Sequence, residues 1–175
     1  MREARGRGLV TFDPNARPAI TPDVAQVLPR VERLVRLSDV VKVSDEDLGW
    51  YHPGADPVEV ARAWTASGPV LVVVTRGADG SVLVRGDEVV TVPGVPVTVA
   101  DTIGAGDTFM GALIDALVGL GAHGPTARGA RRTEPGELRR AASRSASAAA
   151  ITVSRPGADP PTPAELDAAT QAATA

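Results

Sequence analysis

Apolar positions along the first half of the chain follow two different spacings. Three short runs rich in β-branched residues predict buried strands, at residues 9–12, 40–43 and 69–75. Two longer stretches repeat apolar residues at helical spacing behind start signals, and they predict helices that end near residues 38 and 67. A short helical turn is predicted at residues 45–50. The order strand, helix, strand, helix, strand predicts an α/β domain with right-handed crossovers.

The second half of the chain continues this layered pattern. A hairpin-like pair of strands is predicted at residues 82–85 and 89–92. Three helices are predicted after it, at residues 108 to about 120, 134–150 and 163–170. We therefore predict one domain over residues 1–175, built from a layer of helices, a mainly parallel sheet and a second layer of helices.

A segment rich in Gly, Pro and Arg separates two of these helices, at residues 121–136. It contains Arg128, Arg131 and Arg132, and two interpretations are open: a basic loop that covers a substrate, or a solvated surface loop. We assign this segment no function.

Composition and charge narrow the classes of function. The 175 residues include 18 basic and 21 acidic side chains, so the formal net charge of −3 gives no broad attraction to a polyanion. Aromatic residues make up 3% of the chain, which leaves few side chains on which bases could stack. The absence of cysteine excludes disulfides, thiol nucleophiles and thiolate metal sites. We expect no nucleic-acid partner.

The sequence also lacks the signals of membrane insertion or export. No apolar run approaches the roughly 18 residues that a membrane span requires, and the first residues lack the apolar stretch of a signal peptide. We expect a cytoplasmic protein with no membrane partner.

A glycine-bearing loop leads directly into the helix predicted from residue 108. Gly104, Ala105 and Gly106 place backbone N–H groups with little side-chain bulk at a helix N-terminus, which carries about half a positive charge. A phosphoryl group suits such a site, because its transfer depends on positioning and charge stabilisation. Asp107 follows at once, and its ionised carboxylate could accept the proton of an attacking hydroxyl.

The same residues also have a purely structural interpretation. Asp107 or Thr108 could cap the helix, which is worth roughly 1 kcal/mol, and the glycines could serve only a tight turn. The loop by itself leaves both interpretations open. It contains neither the GxxxxGK[ST] phosphate loop nor the GxGxxG of dinucleotide folds, so those two kinds of site are excluded.

Longer motifs around this loop resemble the ribokinase/PfkB family of carbohydrate kinases. The segment DTIGAGDTFMGALI at residues 101–114 is similar to the C-terminal signature of that family. Four further segments resemble family segments in order and spacing: FDPNARP at 12–18, VKVSDEDL at 41–48, VTRGADG at 74–80 and AAAITVSRPGA at 148–158. The first two of these four are most similar to fructokinases and 2-keto-3-deoxygluconate kinases. The resemblance implies a ribokinase-like three-layer fold.

The resemblance also implies roles for the matching residues. It makes Asp107 the catalytic base that contacts the acceptor hydroxyl, and it makes the amides of Gly104, Ala105 and Gly106 a hole for the γ-phosphate of ATP. Nucleotide contacts are implied at four positions: Ser44, Thr75, Gly77 and Gly80. Ser44 and Asp47 stand where many relatives have Asn-x-x-Glu, so nucleotide contacts there are expected to be weaker.

The resemblance implies three further ligand roles, which fall on four residues. Arg17 would face the acceptor sugar or the phosphates, and Asp47 would organise Mg²⁺ through water. Asp101 and the carbonyl of Ile103 would bind a monovalent cation such as K⁺. Each side chain also has a structural alternative: a surface charge for Arg17, a solvated helix-start carboxylate for Asp47 and an Asx-type turn for Asp101.

Members of this family are longer than this chain and have an N-terminal half that supplies the first strands, most sugar contacts and a β-sheet lid. We therefore expect the N-terminal strands and the lid to be missing here. An exposed sheet edge would favour self-association or a complementing N-terminal half. A site without a lid would stay wet, which weakens the charge interactions that drive phosphoryl transfer.

Three functions follow as alternatives. The first is an ATP-dependent sugar kinase that moves the γ-phosphate to a hydroxyl of a ketose or keto-sugar acid, with weak or no turnover by the isolated chain. The second is a non-catalytic nucleotide-binding remnant or subunit. The third is a nucleoside kinase of the same fold. For the kinase, the expected partners are small molecules, a sugar and ATP, with Mg²⁺ and K⁺ as cofactors.

Overall fold

A single five-stranded sheet forms the centre of the computed structural model, which describes residues 1, 3–4, 7–122 and 133–172. The strands lie in chain order across the sheet: β1 (Thr11–Phe12), β2 (Val40–Ser44), β3 (Leu71–Thr75), β4 (Ser81–Arg85) and β5 (Glu88–Val92). The first three strands pair in parallel, and β4 and β5 continue the sheet in antiparallel pairing. The carboxyl ends of the three parallel strands therefore lie together at one end of the sheet.

Helices cover both faces of this sheet. Their bounds are α1 (Val24–Arg36), α2 (Asp45–Tyr51), α3 (Pro57–Ser67), α4 (Ala105–Gly119), α5 (Pro135–Val153) and α6 (Pro163–Ala172). Because strand side chains alternate between faces, Val41, Val43 and Val72 pack with α1, α2 and α3, whereas Val40 and Leu71 pack with α4 and α5. This architecture confirms the predicted three-layer α/β fold.

The boundary of α4 differs from the prediction in a way that affects the site. The helix begins at Ala105 rather than at residue 108, because Gly104 is the N-cap and its carbonyl accepts a hydrogen bond from Thr108 N at 2.8 Å. Ala105 has only a methyl group and Gly106 has no side chain, so neither residue contributes to a recognisable helical period of large apolar residues. The loop predicted to precede the helix is therefore largely its first turn.

Two other boundaries also differ from the prediction. The predicted strand at 9–12 is paired as a strand only at Thr11–Phe12, because the Asp39 carboxylate accepts the hydrogen bond of Val10 N at 2.9 Å. Helix α5 extends to Val153 rather than to residue 150, and Thr152 Oγ1 donates to Ala148 O at 3.1 Å within it.

Part of the basic segment at 121–136 falls outside the described residues. Residues 123–132, with Arg128, Arg131 and Arg132, are among those not described. On the described side of the gap, Glu134 N donates to the Glu137 carboxylate at 3.0 Å where α5 begins. Across the described ranges, no helix combines the length and apolar character that a membrane span needs.

Candidate active site

The candidate site lies where the carboxyl ends of the parallel strands meet the N-terminus of α4. Ser44 and Thr75 are register partners at the ends of β2 and β3. Ligands of open α/β sheets bind in the crevice outside these carboxyl ends. The structure thus brings the segments at 12–18, 41–48 and 74–80 to the carboxyl ends of the parallel strands.

The N-terminus of α4 presents backbone N–H groups without a capping side chain. Within the described part of the chain, no hydrogen-bond acceptor is found for the amides of Gly104, Gly106 and Asp107. The amide of Ala105 is the exception among the predicted donors, since it donates to Thr102 O over a long 3.4 Å. The helix therefore starts with free donors that suit an anion.

Gly104 has two reasons to be a glycine. Its φ of +80° lies in the left-handed region, and a Cβ there would come within 2.9 Å of the Ala158 Cβ. The loop that holds Ala158 therefore packs directly against the start of α4. This close approach fixes where the free amides lie.

Asp107 lies in the first turn of α4 and is exposed. Among the described residues its carboxylate has no hydrogen-bond partner, and Gly104 rather than Asp107 or Thr108 occupies the N-cap. The hydroxyl of Thr108 is used elsewhere, because it shares a hydrogen bond with Thr152 Oγ1 on α5 over 3.0 Å. The capping interpretation of these two residues is not what the structure shows.

A buried ion pair beside α4 was not singled out from the sequence. Lys42 on β2 is 5% exposed, and its Nζ donates to Asp13 Oδ2 at 2.9 Å. A Cβ built on Gly106 would lie 2.7 Å from the same Nζ. A lysine inside a run of valines was the available signal, since lysine is almost never buried without a partner.

The carboxylates around this pair affect each other electrostatically. Burial raises the pKa of Asp13 above its ordinary value, Lys42 opposes this shift, and the negative charges of Asp47 and Asp107 add to it. Burial raises the pKa of Tyr51 to about 12, with further contributions from Asp47 and Asp13. Asp13, Asp47 and Asp107 thus lie close enough to share one electrostatic environment.

The residues predicted to contact nucleotide lie along the strand ends, and Ser44 also has a structural role. Its Oγ accepts a hydrogen bond from Asp47 N at 3.0 Å and caps α2. Thr75 ends β3, and Gly77 and Gly80 bracket the short 3₁₀ turn that follows. Ser44 and Thr75 thus lie at the carboxyl ends of their strands, and Gly77 and Gly80 lie in the turn that follows β3.

Arg17 and Asp101 are engaged locally. Arg17 Nη1 donates to Asn15 Oδ1 at 2.5 Å and to Ala16 O at 2.8 Å, so the side chain folds back on its own loop. Asp101 accepts hydrogen bonds from the amides of Ile103 at 3.0 Å and Gly157 at 2.9 Å, which hold the pKa of its carboxyl below the ordinary value. The Asx-type turn considered for Asp101 is therefore present.

The carboxylates and imidazoles of the described chain limit how a metal ion could be bound. The described residues contain no group of three or more His, Asp or Glu side chains arranged to hold an ion. Magnesium often keeps several waters and takes only one or two carboxylates together with substrate phosphates. Asp47 fits that mode, in which nucleotide completes the coordination. For K⁺, each oxygen of the Asp101 carboxylate accepts one amide hydrogen bond and keeps a second lone pair.

Comparison with known proteins identifies the family of the chain. Residues 1–165 match the family described as pfkB family carbohydrate kinase, and the chain belongs to this family. A fructokinase of Rhizobium leguminosarum bv. trifolii is 43% identical over 116 residues, which are 66% of this chain and 35% of that protein. A probable fructokinase-5 of Arabidopsis thaliana is 29% identical over 96% of this chain and 50% of its own length.

Solved structures show the same fold. A fructokinase of Xylella fastidiosa with bound ATP superposes with a TM-score of 0.85 at 26% identity, over 95% of this chain and 53% of that one. A Vibrio cholerae fructokinase double mutant, bound to fructose, ADP and potassium, gives a TM-score of 0.76 at 30% identity, over 91% and 49% of the two chains. The present chain thus spans about a third to a half of the length of these relatives.

Proposed function

We propose that this chain carries the nucleotide-binding and catalytic-base portion of an ATP-dependent sugar kinase. The observation that carries the proposal is the start of α4, where the amides of Gly106 and Asp107 and the exposed Asp107 carboxylate have no hydrogen-bond partner among the described residues. The two amides can donate to a phosphoryl group, and the carboxylate of the second of these residues can accept a hydroxyl proton. Membership of the family and its fructokinase relatives support the same reaction class.

The reaction would be an in-line displacement at the γ-phosphorus. A sugar hydroxyl oxygen attacks phosphorus, the bond to the β,γ-bridging oxygen breaks, and ADP leaves with the electron pair. The hydroxyl proton passes to the Asp107 carboxylate, which later releases it to water. The amides at the start of α4 would stabilise the charge on the transferred oxygens.

A ketose such as fructose is the acceptor that the relatives favour. Fructokinases of four genera among the matches are at least 34% identical to this chain over about two thirds of its length. Arg17 would turn from its own loop toward the sugar or the phosphates, since its present partners are exposed and local. A keto-sugar acid is the alternative acceptor, and the assay below includes one.

The nucleotide and cations have proposed positions as well. Ser44, Thr75, Gly77 and Gly80 would line the nucleotide, and Asp47 would hold Mg²⁺ through water. Bound magnesium would offset the charge that develops on the phosphate oxygens. A monovalent cation such as K⁺ would lie at the loop of Asp101 and Ile103.

The test is acceptor-dependent release of ADP by the purified chain. The protein is incubated with Mg-ATP and fructose, ribose, 2-keto-3-deoxygluconate or a nucleoside, and Asp107→Asn is compared with wild type. We expect fructose to support the fastest release and Asp107→Asn to lower it by roughly 10²–10⁴. The matched control is Asp115→Asn, an exposed carboxylate further along α4, which should change nothing.

A nucleotide-binding subunit without catalysis is the second candidate. The observation that favours it is the exposure of the Asp107 carboxylate, because water at the site weakens the charge interactions that drive phosphoryl transfer. In that case ATP binds but no acceptor accelerates ADP release. Release that depends on a nucleoside alone would instead favour a nucleoside kinase.

A further inference from the structure

Lys42 is the single lysine of the chain. The other 17 of its 18 basic residues are arginines, and Lys42 lies in the middle of β2 with valines on either side. An ammonium group shielded from water is costly unless it is compensated. Its position therefore requires a reason beyond solubility.

Gly106 shows how closely this ammonium approaches α4. Its backbone is not in the left-handed region, so the local conformation does not demand glycine. A Cβ at this position would come within 2.7 Å of Lys42 Nζ. Since a Cβ lies about 2.5 Å from the nitrogen of its own residue, Nζ is within about 5 Å of the Gly106 amide nitrogen.

The positive charge of the Lys42 ammonium lies beside the positive end of α4. A helix N-terminus is already positive, so a cation beside it is unfavourable unless an anion is present. An ammonium has three donors, and within the described chain only the bond to Asp13 Oδ2 uses one. Asp13 also keeps its other oxygen, Oδ1, buried without a partner. Among the described residues, the pair is therefore incompletely hydrogen-bonded at both of its members.

We propose that the Lys42 ammonium is a phosphate-binding group of this site, which contacts the phosphoryl group held by the Gly106 and Asp107 amides. Asp13 is its positioning residue, because it holds Nζ in the space that the missing side chain of Gly106 leaves open. The inference rests on the proposed function, since the phosphate in question is the one to be transferred. The competing explanation is an ion pair that serves stability alone.

The uniqueness of Lys42 supplies a direct test. Protein labelled with ε-¹⁵N-lysine gives one side-chain ammonium resonance, which is recorded while tripolyphosphate, ATP or adenosine is added. We expect tripolyphosphate and ATP to shift this resonance together with the backbone resonances of Gly106 and Asp107. Adenosine, which has no phosphate, should leave it in place.

Variants separate phosphate binding from stability. Lys42→Met should weaken tripolyphosphate binding about tenfold or more, since a hydrogen bond to a charged group is lost. Arg62→Met is the matched control, because it removes a cation that contacts Glu59 and the carbonyls of Gly86 and Asp87 on the opposite side of the sheet. It should leave the affinity unchanged within about twofold.

Substitution of one partner alone leaves a buried charge, so the fold needs its own check. The double variant Lys42→Met with Asp13→Asn removes both charges, and we expect it to fold and to bind tripolyphosphate as weakly as Lys42→Met. Asp13→Asn alone should weaken binding less and should shift the lysine resonance of the free protein. A double variant that binds like wild type would contradict the proposal.

The outcomes also distinguish this inference from the proposed function. Shifts at Gly106 and Asp107 with an unmoved lysine resonance overturn the role of Lys42, whereas sugar-dependent release of ADP would still support the kinase. A shifted lysine resonance without acceptor-dependent release supports Lys42 and contradicts catalysis by this chain. If neither the amides nor Lys42 respond to tripolyphosphate or ATP, both proposals are wrong.

Discussion

Two glycines of α4 would respond differently to an added methyl group. Gly106 faces Lys42 Nζ, whereas a Cβ at Gly111 would meet nothing within 4 Å. In an open helical position alanine is more stable than glycine by roughly 0.5–1 kcal/mol. The comparison therefore isolates the contact with Lys42 from the intrinsic preference of the helix.

We expect Gly111→Ala to stabilise the protein by about 0.5–1 kcal/mol and Gly106→Ala to be less favourable than that by about 1–3 kcal/mol. The reason is that the methyl group displaces the flexible end of Lys42 from Asp13. Urea unfolding gives both values. Equal effects at the two positions would mean that Lys42 moves aside without loss, and Gly106→Ala in a Lys42→Met background should lose its penalty.

At the residue scale, the sequence could predict chemistry only where it is contiguous along the chain. Gly104, Ala105, Gly106 and Asp107 are consecutive, so their pattern could point to a donor-rich helix start, and anion binding there stays a prediction. The Lys42 and Asp13 pair is different, because 29 positions separate the partners and only the parallel pairing of β1 with β2 brings them together. No short sequence pattern predicts the contact between Lys42 and Asp13.

At the scale of the element, one glutamate contributes to the attachment of α6, beside the ion pair of Asp167 with Arg144 and the buried Leu166. Glu165 accepts hydrogen bonds from Thr162 N at 2.7 Å and Oγ1 at 2.9 Å, and from Arg155 Nη2 at 2.6 Å. The backbone N–H of Thr162 and the Arg155 guanidinium lower the pKa of Glu165 to about 2, from an ordinary value of 4.5. The carboxylate thus joins the start of α6 to the end of α5.

The sign of this shift predicts a loss of α6 in acid. A carboxyl whose folded pKa is depressed stabilises the folded state above pH 4.5, and this contribution disappears as the pH falls toward 2. We expect hydrogen exchange in α6, corrected for intrinsic rates, to accelerate over that window. Glu165→Gln should show faster exchange at neutral pH already. Glu59→Gln, an exposed partner of Arg62 on α3, is the control and should leave α6 unchanged.

Helix and strand types were predictable because apolar spacing is strong in this chain, whereas boundaries depended on interactions that the spacing does not contain. The start of α4 is set by Gly104 at φ +80°, and the short extent of β1 follows from the Asp39 carboxylate that binds Val10 N. In both cases a single hydrogen bond or backbone conformation decides the boundary. The layered fold did not depend on either detail.

For the whole molecule, the two edges of the sheet are protected unequally. At β5, Arg139 Nη1 on α5 donates to the carbonyl of Thr91 at 2.6 Å, so a side chain already occupies that edge. At the other edge β1 pairs only with β2 among the described residues, and the exposed Ile20 lies in the segment that follows β1. Unpaired strand edges are templates for association.

We therefore expect the chain to associate with increasing concentration through the β1 edge, which sedimentation velocity would detect. Thr11→Lys places a charge on that edge and should shift the protein toward monomer, because a charged edge opposes pairing with a second strand. Thr91→Lys on the β5 edge is the matched control and should leave the distribution unchanged. A chain that stays monomeric at all concentrations, or that responds equally to both substitutions, would show that β1 does not mediate association.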